Sequence, residues 1–287
     1  MPRATVGVIG GTGLYEIDGL TDIETVNIST PFGDPSDTFV IGKLNGVSAA
    51  FLPRHGRGHH ISPSELPSRA NIYAMKSLGV EYIIAVNSAG SFKEEIRPGT
   101  LVIPDQVIDC TKGRISTFFG DGIVAHISMA EPFCPELNEV LYAAAYEVGA
   151  GVRNGGTFIA MEGPAFSTRA ESNLYCSWNA DIIGMTVLPE AKLAREAEIC
   201  YSSIVCVTDY DCWMERTKAV DVETILNNMR KNTTMAKAII RRAVTRLPQS
   251  RGCGCAEALD GAIVTAPEMI TPEQKAKLGL IIGKYIQ

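Results

Sequence analysis

The chain has 287 residues, of which 46% are hydrophobic, and a formal net charge of −6. This length suits one large α/β domain or two small ones. A protein whose main partner is nucleic acid usually carries a basic face, and the one dense basic run here, residues 54–60, is too short to follow a duplex. No stretch approaches the roughly 18 apolar residues of a membrane span, and the N-terminus lacks the pattern of a secretory signal. We therefore expect a cytoplasmic protein with no nucleic-acid or membrane partner.

Short apolar segments alternate with amphipathic ones along the chain. In chain order, the predicted strands are Thr5–Gly10, Thr38–Leu44, Val47–Leu52, Glu81–Val86, Gly156–Met161, Asp181–Met185 and Tyr201–Thr208. The predicted helices are Ser64–Leu78, Val140–Val148, Arg169–Trp178, a helix from Pro189 to about Ala197, and Val222–Leu247. Asn45 and Gly46, between the second and third strands, indicate a two-residue hairpin.

This alternation, with continuously apolar strands, predicts helices on both faces of a largely parallel sheet. The hairpin makes the sheet mixed. No low-complexity linker or internal repeat divides the chain, so we expect a single α/β domain over residues 1–287 with three layers, a central mixed, largely parallel sheet flanked by helices. Residues 249–287 have weaker periodicity, and Pro267 predicts a loop there before a last helix.

Eight cysteines are spread along the chain. None forms a C-x-x-C pair, which argues against a zinc ribbon, and most should be free, buried thiols. Cys253 and Cys255 are the exception, because the polar stretch around them predicts an exposed loop. A disulfide or redox role for this Cys-Gly-Cys segment stays open.

Ligands of open α/β sheets bind beyond the carboxyl ends of the strands, and four of the predicted strands end in polar clusters. The first, Gly10–Gly13 with its Thr12 hydroxyl, lets backbone N–H groups approach an anion. Its spacing is neither that of a dinucleotide motif nor that of a P-loop, and a plain tight turn is the alternative. The second is Arg54 and His55, which offer donors to a phosphate. A solvated basic loop, or a metal site shared with the next two histidines, would explain them otherwise.

The third cluster, Asn87–Ser91, follows the strand Glu81–Val86 and offers small residues and hydroxyls to a ligand. An ordinary loop explains it equally well. The fourth contains Asp209 and Asp211 beside Trp213. A half-buried Asp has a raised pKa and can hold a proton to donate. An acidic surface turn is the alternative, whereas a cation site would need further acceptors.

Six short motifs occur in a fixed order along the chain. They are Gly10-Gly11-Thr12-Gly13, Arg54-His55-Gly56, Asn87-Ser88-Ala89-Gly90-Ser91, Met161-Glu162-Gly163-Pro164, Gly184-Met185-Thr186 and Thr208-Asp209-Tyr210-Asp211. As an ordered set, they resemble the trimeric class of the purine nucleoside phosphorylase family, and most of all its methylthioadenosine branch, over about residues 6–247. At Val86-Asn87-Ser88 the chain is more similar to the general nucleoside phosphorylases.

The resemblance implies an enzyme that breaks a purine–sugar bond with inorganic phosphate, without a metal or an organic cofactor. The expected nucleoside is S-methyl-5′-thioadenosine. By similarity, the phosphate is held by Thr12, Arg54, His55, Ser88 and Thr186. The nucleoside is contacted by Met185, Phe166, Ser167, Val222, Ile225 and Leu226, the last three at its 5′ group. The expected catalytic residues are Asp209 and Asp211, at purine N7 and the exocyclic amine. His126 matches a residue that reaches into a neighbouring subunit's site, so a homotrimer or a dimer of trimers is expected.

Two other functions stay open. A phosphorylase of methylthioinosine or 6-oxopurine nucleosides would favour Asn over Asp209 and Asp211, because an amide can donate to O6. A nucleoside-binding or sensor protein could use the same scaffold, but it would need no site for a phosphate nucleophile.

Overall fold

The computed structural model describes residues 3–11, 14, 16–214 and 222–286, with residues 222–230 in backbone alone. The strands are β1 (Val6–Gly10), β2 (Leu20–Val26), β3 (Phe39–Leu44), β4 (Val47–Pro53), β5 (Tyr82–Ser91), β6 (Leu101–Ile103), β7 (Gln106–Cys110), β8 (Val152–Asn154), β9 (Thr157–Met161), β10 (Ile182–Gly184) and β11 (Cys200–Tyr210). The helices are α1 (Ser68–Ser77), α2 (Pro135–Glu147), α3 (Arg169–Ser177), α4 (Val187–Glu196), α5 (Val222–Ala243) and α6 (Pro272–Ile282).

All these strands belong to one mixed sheet with the order β2-β3-β4-β1-β5-β10-β9-β7. Strand β11 pairs with β5 and β6, and β6 pairs with β8. Because β1 is parallel to β4 and β5, and β11 is parallel to β5, these four strands end at one edge of the sheet. The predicted hairpin is confirmed between β3 and β4. Its turn residues Asn45 and Gly46 have φ angles of 50° and 84°, as a type I′ turn requires.

Buried side chains pack on both faces of the sheet. Side chains of α1 and α4 join one apolar cluster, while those of α2 and the described part of α5 join the other. Neighbouring residues of β1 face opposite clusters, Val8 towards α2 and α5 and Ile9 towards α1 and α4, as expected of a strand buried on both faces. The predicted fold class, a three-layer α/β arrangement, is confirmed. The part of the chain that the structure describes contains no helix long and apolar enough to cross a membrane.

Several local predictions are wrong at their boundaries. The helix predicted over Val140–Val148 begins earlier, at Pro135. The helix predicted over Ser64–Leu78 begins at Ser68, because Pro67 holds the preceding residue, Leu66, in an extended conformation with ψ of 126°. The cluster Asn87–Ser91 does not follow a strand but continues β5, because β11 and β10 pair with it on both sides.

The prediction that Cys253 and Cys255 lie in an exposed loop is also wrong. Cys255 is 2% exposed and Cys253 is half-buried. A single 3-10 turn, Gly254–Glu257, places them beside the start of α2 and the start of β11. Side chains of α6 likewise join the main apolar cluster, so the segment after residue 249 packs on the same core as the rest of the chain.

Candidate functional site

Polar side chains from several strands meet at the edge where the parallel strands end. Arg54 follows β4, and its backbone N–H donates to the carbonyl of Gly10 at the end of β1 (2.8 Å). Ser88 is the exposed residue of an otherwise buried stretch of β5. Thr186 follows β10, and Asp209 lies near the end of β11. The structure therefore brings four of the predicted site segments together.

The Arg54 guanidinium is 2% exposed and is held by a buried partner that the sequence did not reveal. It donates twice to the carboxylate of Glu190, from Nε to Oε1 (2.5 Å) and from Nη2 to Oε2 (3.1 Å). Two further N–H groups reach the carbonyls of Val86 (2.9 Å) and Ile9 (3.4 Å). Tyr201 also donates to Glu190 (3.0 Å). Four of the five guanidinium N–H groups are used in this way, and one on Nη1 is left. Because the planar fork of the guanidinium binds Glu190, a phosphate could accept only a single hydrogen bond from Arg54.

His55 is held as a neutral ring. Its Nδ1 lies 2.8 Å from the carbonyl of Ile61, which can only accept, so Nδ1 carries the hydrogen. Burial lowers the pKa of His55 to about 4, and the positive charge of Arg54 acts in the same direction. At neutral pH, Nε2 is therefore an acceptor, suited to the O–H of a hydrogen phosphate.

The alternative of a histidine metal site finds no support in this geometry. The rings of His55 and His59 stack, with centroids 4.3 Å apart, and Nδ1 of His60 bonds to the carbonyl of Arg57 (3.2 Å). Among the described residues, the candidate metal ligands that come together are four cysteines elsewhere in the fold.

The Thr186 hydroxyl is oriented by a buried chain of hydrogen bonds. Ser203 donates to Oδ1 of Asn87 (2.7 Å), which fixes the amide so that its Nδ2 donates to Oγ1 of Thr186 (2.7 Å). Because Oγ1 already accepts, its own hydrogen is left to be donated to a ligand. This arrangement makes Thr186 a suitable donor to an anion.

The two carboxyl groups lie against β5 at its far end. In the register of β5 and β11, Asp209 is opposite Gly90. A Cβ at Gly90 would lie 3.3 Å from Oδ2 of Asp209 and 3.5 Å from Cβ of Asp211, so the glycine leaves room for both. Burial raises the pKa of Asp209 to about 6, although Thr208 donates to its Oδ1 (2.5 Å).

Asp211 is 6% exposed, which excludes an acidic surface turn. Burial raises its pKa as well. Its Oδ2 has no hydrogen-bond partner among the described residues, and a buried acceptor without a donor is costly. Asp211 therefore offers an acceptor to a ligand with an N–H group.

The segment after β9 lies beside the segment after β10. A Cβ at Gly163 would lie 2.5 Å from Sδ of Met185, so these two predicted segments are in contact. Phe166 is 69% exposed, and Cys212 donates to the carbonyl of Ser167 (3.3 Å). Phe166 and Ser167 therefore lie near the Asp211 end of the site, and the Phe166 ring is largely exposed.

Arg114 is a site-shaping residue that the sequence reasoning missed. Its side chain donates to the carbonyls of Met185 (2.5 Å) and Leu188 (2.8 Å), and to the carboxylate and carbonyl of Glu162. It thus ties together the two segments that follow β9 and β10. A lone arginine in a polar stretch gave no local signal of this role.

Several predicted residues are not joined to this site in the described structure. Thr12 lies outside the described residues, as do the side chains of Val222, Ile225 and Leu226. His126 is exposed and lines a separate cavity of about 810 Å³ together with Arg195 and Cys253. A position away from its own chain's site is what a residue serving a neighbouring subunit would show.

Known proteins resemble the chain over nearly its whole length. The family profile described as the phosphorylase superfamily matches residues 5–245. The S-methyl-5′-thioadenosine phosphorylase of Geobacter sulfurreducens is 58% identical, covering 98% of this chain and 99% of that protein. A methylthioadenosine phosphorylase from an Antarctic soil metagenomic library has a TM-score of 0.94 at 48% identity, covering 98% and 99%. A mutant adenosine/methylthioadenosine phosphorylase from Schistosoma mansoni, in complex with methylthioadenosine, has a TM-score of 0.82 at 37% identity, covering 90% and 96%.

The ion pair of Arg54 and Glu190 predicts the outcome of substitutions. Arg54→Met leaves a buried, unpaired carboxylate, so we expect the free energy of unfolding to fall by about 3–5 kcal/mol. Adding Glu190→Gln removes that charge while keeping an acceptor for Tyr201, and should restore most of the loss. Urea unfolding measures the free energy of unfolding of the native protein, of Arg54→Met and of the double variant.

The control is the exposed pair of Lys43 and Asp22, whose side chains are 54% and 66% exposed. Lys43→Met should cost less than about 1 kcal/mol. A double variant as unstable as Arg54→Met alone would show that the unpaired charge is not the cause.

Proposed function

The chain belongs to the phosphorylase superfamily, and from this premise we propose that it catalyses the phosphorolysis of S-methyl-5′-thioadenosine to adenine and 5-methylthioribose 1-phosphate. The observation that carries the proposal is the division of the site along β5. The two donors to an anion are anchored on one stretch of β5, where Thr186 accepts from Asn87 and Arg54 donates to the carbonyl of Val86. The carboxyl groups of Asp209 and Asp211 lie beside Gly90, further along the same strand. Three residues of strand span about 10 Å, which leaves a sugar's width between an anion and a purine.

The reaction requires an anionic nucleophile on one side of the sugar and a neutralised base on the other. As the bond from C1′ to N9 breaks, the sugar gains positive charge, and a phosphate oxygen forms the new bond to C1′. The electrons of the broken bond go to the purine, and a proton at N7 lets the base leave as neutral adenine. Holding both reactants in this geometry supplies much of the rate enhancement.

Asp209 is suited to supply the N7 proton. Its raised pKa keeps a larger protonated fraction near neutral pH than an ordinary carboxyl group has. Asp211 is suited to the exocyclic amine, because its buried Oδ2 accepts no hydrogen bond of normal geometry from the described residues, although the Ser172 hydroxyl acts to lower its pKa. A 6-oxopurine would present a second acceptor there, which disfavours that alternative substrate.

The phosphate side depends on polar donors more than on net positive charge. Glu190 offsets the charge of Arg54, and His55 is neutral. The remaining donors are one Arg54 N–H and the Thr186 hydroxyl, and Ser88 is an exposed residue of the same stretch of β5. By similarity, Thr12 would add a further hydroxyl. Hydrogen bonds of this kind hold a phosphate without fully neutralising it, so that it remains a nucleophile.

The activities of the relatives support an adenine nucleoside as the substrate. Proteins 58% and 52% identical to this chain are S-methyl-5′-thioadenosine phosphorylases, and the mutant Schistosoma mansoni phosphorylase is in complex with methylthioadenosine. Val222, Ile225 and Leu226 would then form the apolar wall for the 5′ methylthio group at the start of α5. A nucleoside-binding protein without catalysis is disfavoured, since it would need no anion site beside the sugar.

The remaining parts of the proposal concern assembly. The chain would act as one domain, since residues after 249 share the core of the sheet. It would form a homotrimer or a dimer of trimers, in which the exposed His126 completes a neighbour's site. A cytoplasmic location suits eight free cysteines.

The first test exchanges the proposed acid. Asp209→Asn cannot supply a proton, so kcat/KM for methylthioadenosine should fall by about 100-fold or more. Its amide can donate to O6, so activity on methylthioinosine should fall less or rise. The measurement is the ratio of kcat/KM for the two nucleosides in both proteins. An unchanged ratio would mean that Asp209 does not discriminate between adenine and hypoxanthine.

The second test uses pH. If protonated Asp209 is the acid, kcat/KM of the native enzyme should be level below a pH of about 6 and fall about tenfold per pH unit above it. Asp209→Asn should lack this falling limb. The ionisation of phosphate is common to both proteins and cancels in their comparison. A limb that persists in Asp209→Asn would assign the titration to another group.

A further inference from the structure

Four cysteine side chains converge at a place that the proposed reaction does not use. They are Cys134, Cys200, Cys253 and Cys255, here called the four-cysteine cluster. Cys134 directly precedes α2, Cys200 begins β11, and the other two lie at the 3-10 turn Gly254–Glu257. The four Sγ atoms lie within 4.8 Å of one another, with Cys253 at 3.6 Å from Cys134 and 3.3 Å from Cys200.

We propose that the four-cysteine cluster binds one zinc ion in a tetrahedral site of four thiolates. With Zn–S bonds of about 2.3 Å, the sulfur atoms of such a site lie about 3.8 Å apart. The separations of 3.3 and 3.6 Å and the upper limit of 4.8 Å lie on either side of this spacing, whereas a disulfide brings two sulfur atoms to about 2.05 Å. A tetrahedral S₄ set is typical of zinc or iron, and thiolates this close leave no room for an iron–sulfur cluster between them.

The surroundings of the cluster suit thiolates. The backbone N–H of Leu137 donates to Sγ of Cys134 (3.4 Å), at the N-terminus of the 13-residue helix α2. The Arg195 guanidinium donates to Sγ of Cys255 (3.3 Å). One zinc ion with four thiolates carries a net charge of −2, and a helix N-terminus and an arginine both stabilise negative charge. Hydrogen-bonded outer groups of this kind orient metal ligands.

Metal binding is balanced by loss of protons. Four Cys–SH groups and Zn²⁺ give one zinc tetrathiolate of charge −2 and four H⁺, without any oxidant. Cys253 is half-buried and lines the 810 Å³ cavity, as does Cys255, which gives the ion a path from solvent. The absence of a C-x-x-C pair excludes a zinc ribbon, not ligands drawn from three separate segments.

The zinc would be structural, because its ligands join the last part of the chain to the main sheet. Cys253 and Cys255 lie beyond residue 245, where the family match ends. The ion would fix this segment to α2 and to the start of β11, the strand that carries Asp209 at its other end. Its removal should therefore lower stability much more than it changes the chemistry.

Metal analysis of the native protein tests the proposal without depending on a variant. After passage over a chelating resin, the protein should retain about one zinc per chain by mass spectrometry. After unfolding in denaturant with a chelator, all eight cysteines should react as free thiols. Replacing the zinc with Co²⁺ should give the thiolate charge-transfer band and intense visible bands of tetrahedral cobalt.

A pair of matched variants locates the site. Cys253→Ser removes a half-buried ligand and should lose the zinc and unfold at a lower urea concentration. Cys110→Ser changes a half-buried cysteine outside the cluster and should keep one zinc. The proposal would be overturned if the native protein contained no zinc, or contained iron in its place. It would also be overturned if fewer than eight thiols reacted, because that result would show disulfides instead. Equal zinc in both variants would also overturn it.

Discussion

The buried ion pair of Arg54 and Glu190 is the constraint on which the site depends. Arg54 donates to the carbonyls of Ile9, near the end of β1, and of Val86, in the middle of β5, while Glu190 belongs to α4 and accepts from the hydroxyl of Tyr201 in β11. One charge pair thus fixes β1, β5, β11 and one helix relative to each other. Such a pair adds little net stability over apolar residues, but leaving one partner unpaired is costly. This couples the shape of the phosphate side to the integrity of the fold.

Burial sets the chemistry on both sides of the site. On the base side, it raises the pKa values of Asp209 and Asp211, and the pKa of about 6 for Asp209 lets that group hold a proton to donate. On the phosphate side, it keeps His55 neutral, and Glu190 offsets the charge of Arg54. The fold therefore separates proton donation from anion binding by three residues of β5.

The features that the sequence predicts well are those that depend on neighbouring residues. The hairpin at Asn45 and Gly46 follows from turn chemistry alone, and the apolar periodicity is enough for β1, β11 and α5. Strands β6 and β8, of three residues each, and the more exposed β2 and β7 were missed because they are too short or too polar to show a period. Glu190, 136 positions from Arg54, and the four-cysteine cluster were missed because only the folded chain brings them together.

The central claim is that the two sides of the site serve a phosphate and an adenine nucleoside in one reaction. The most direct measurement is the release of adenine from methylthioadenosine with and without added phosphate, with phosphate consumption followed in parallel. The account predicts negligible release without phosphate and one phosphate consumed for each adenine formed. Equal release without phosphate would show hydrolysis instead, and would contradict the assignment of Arg54, Ser88 and Thr186 to a phosphate nucleophile.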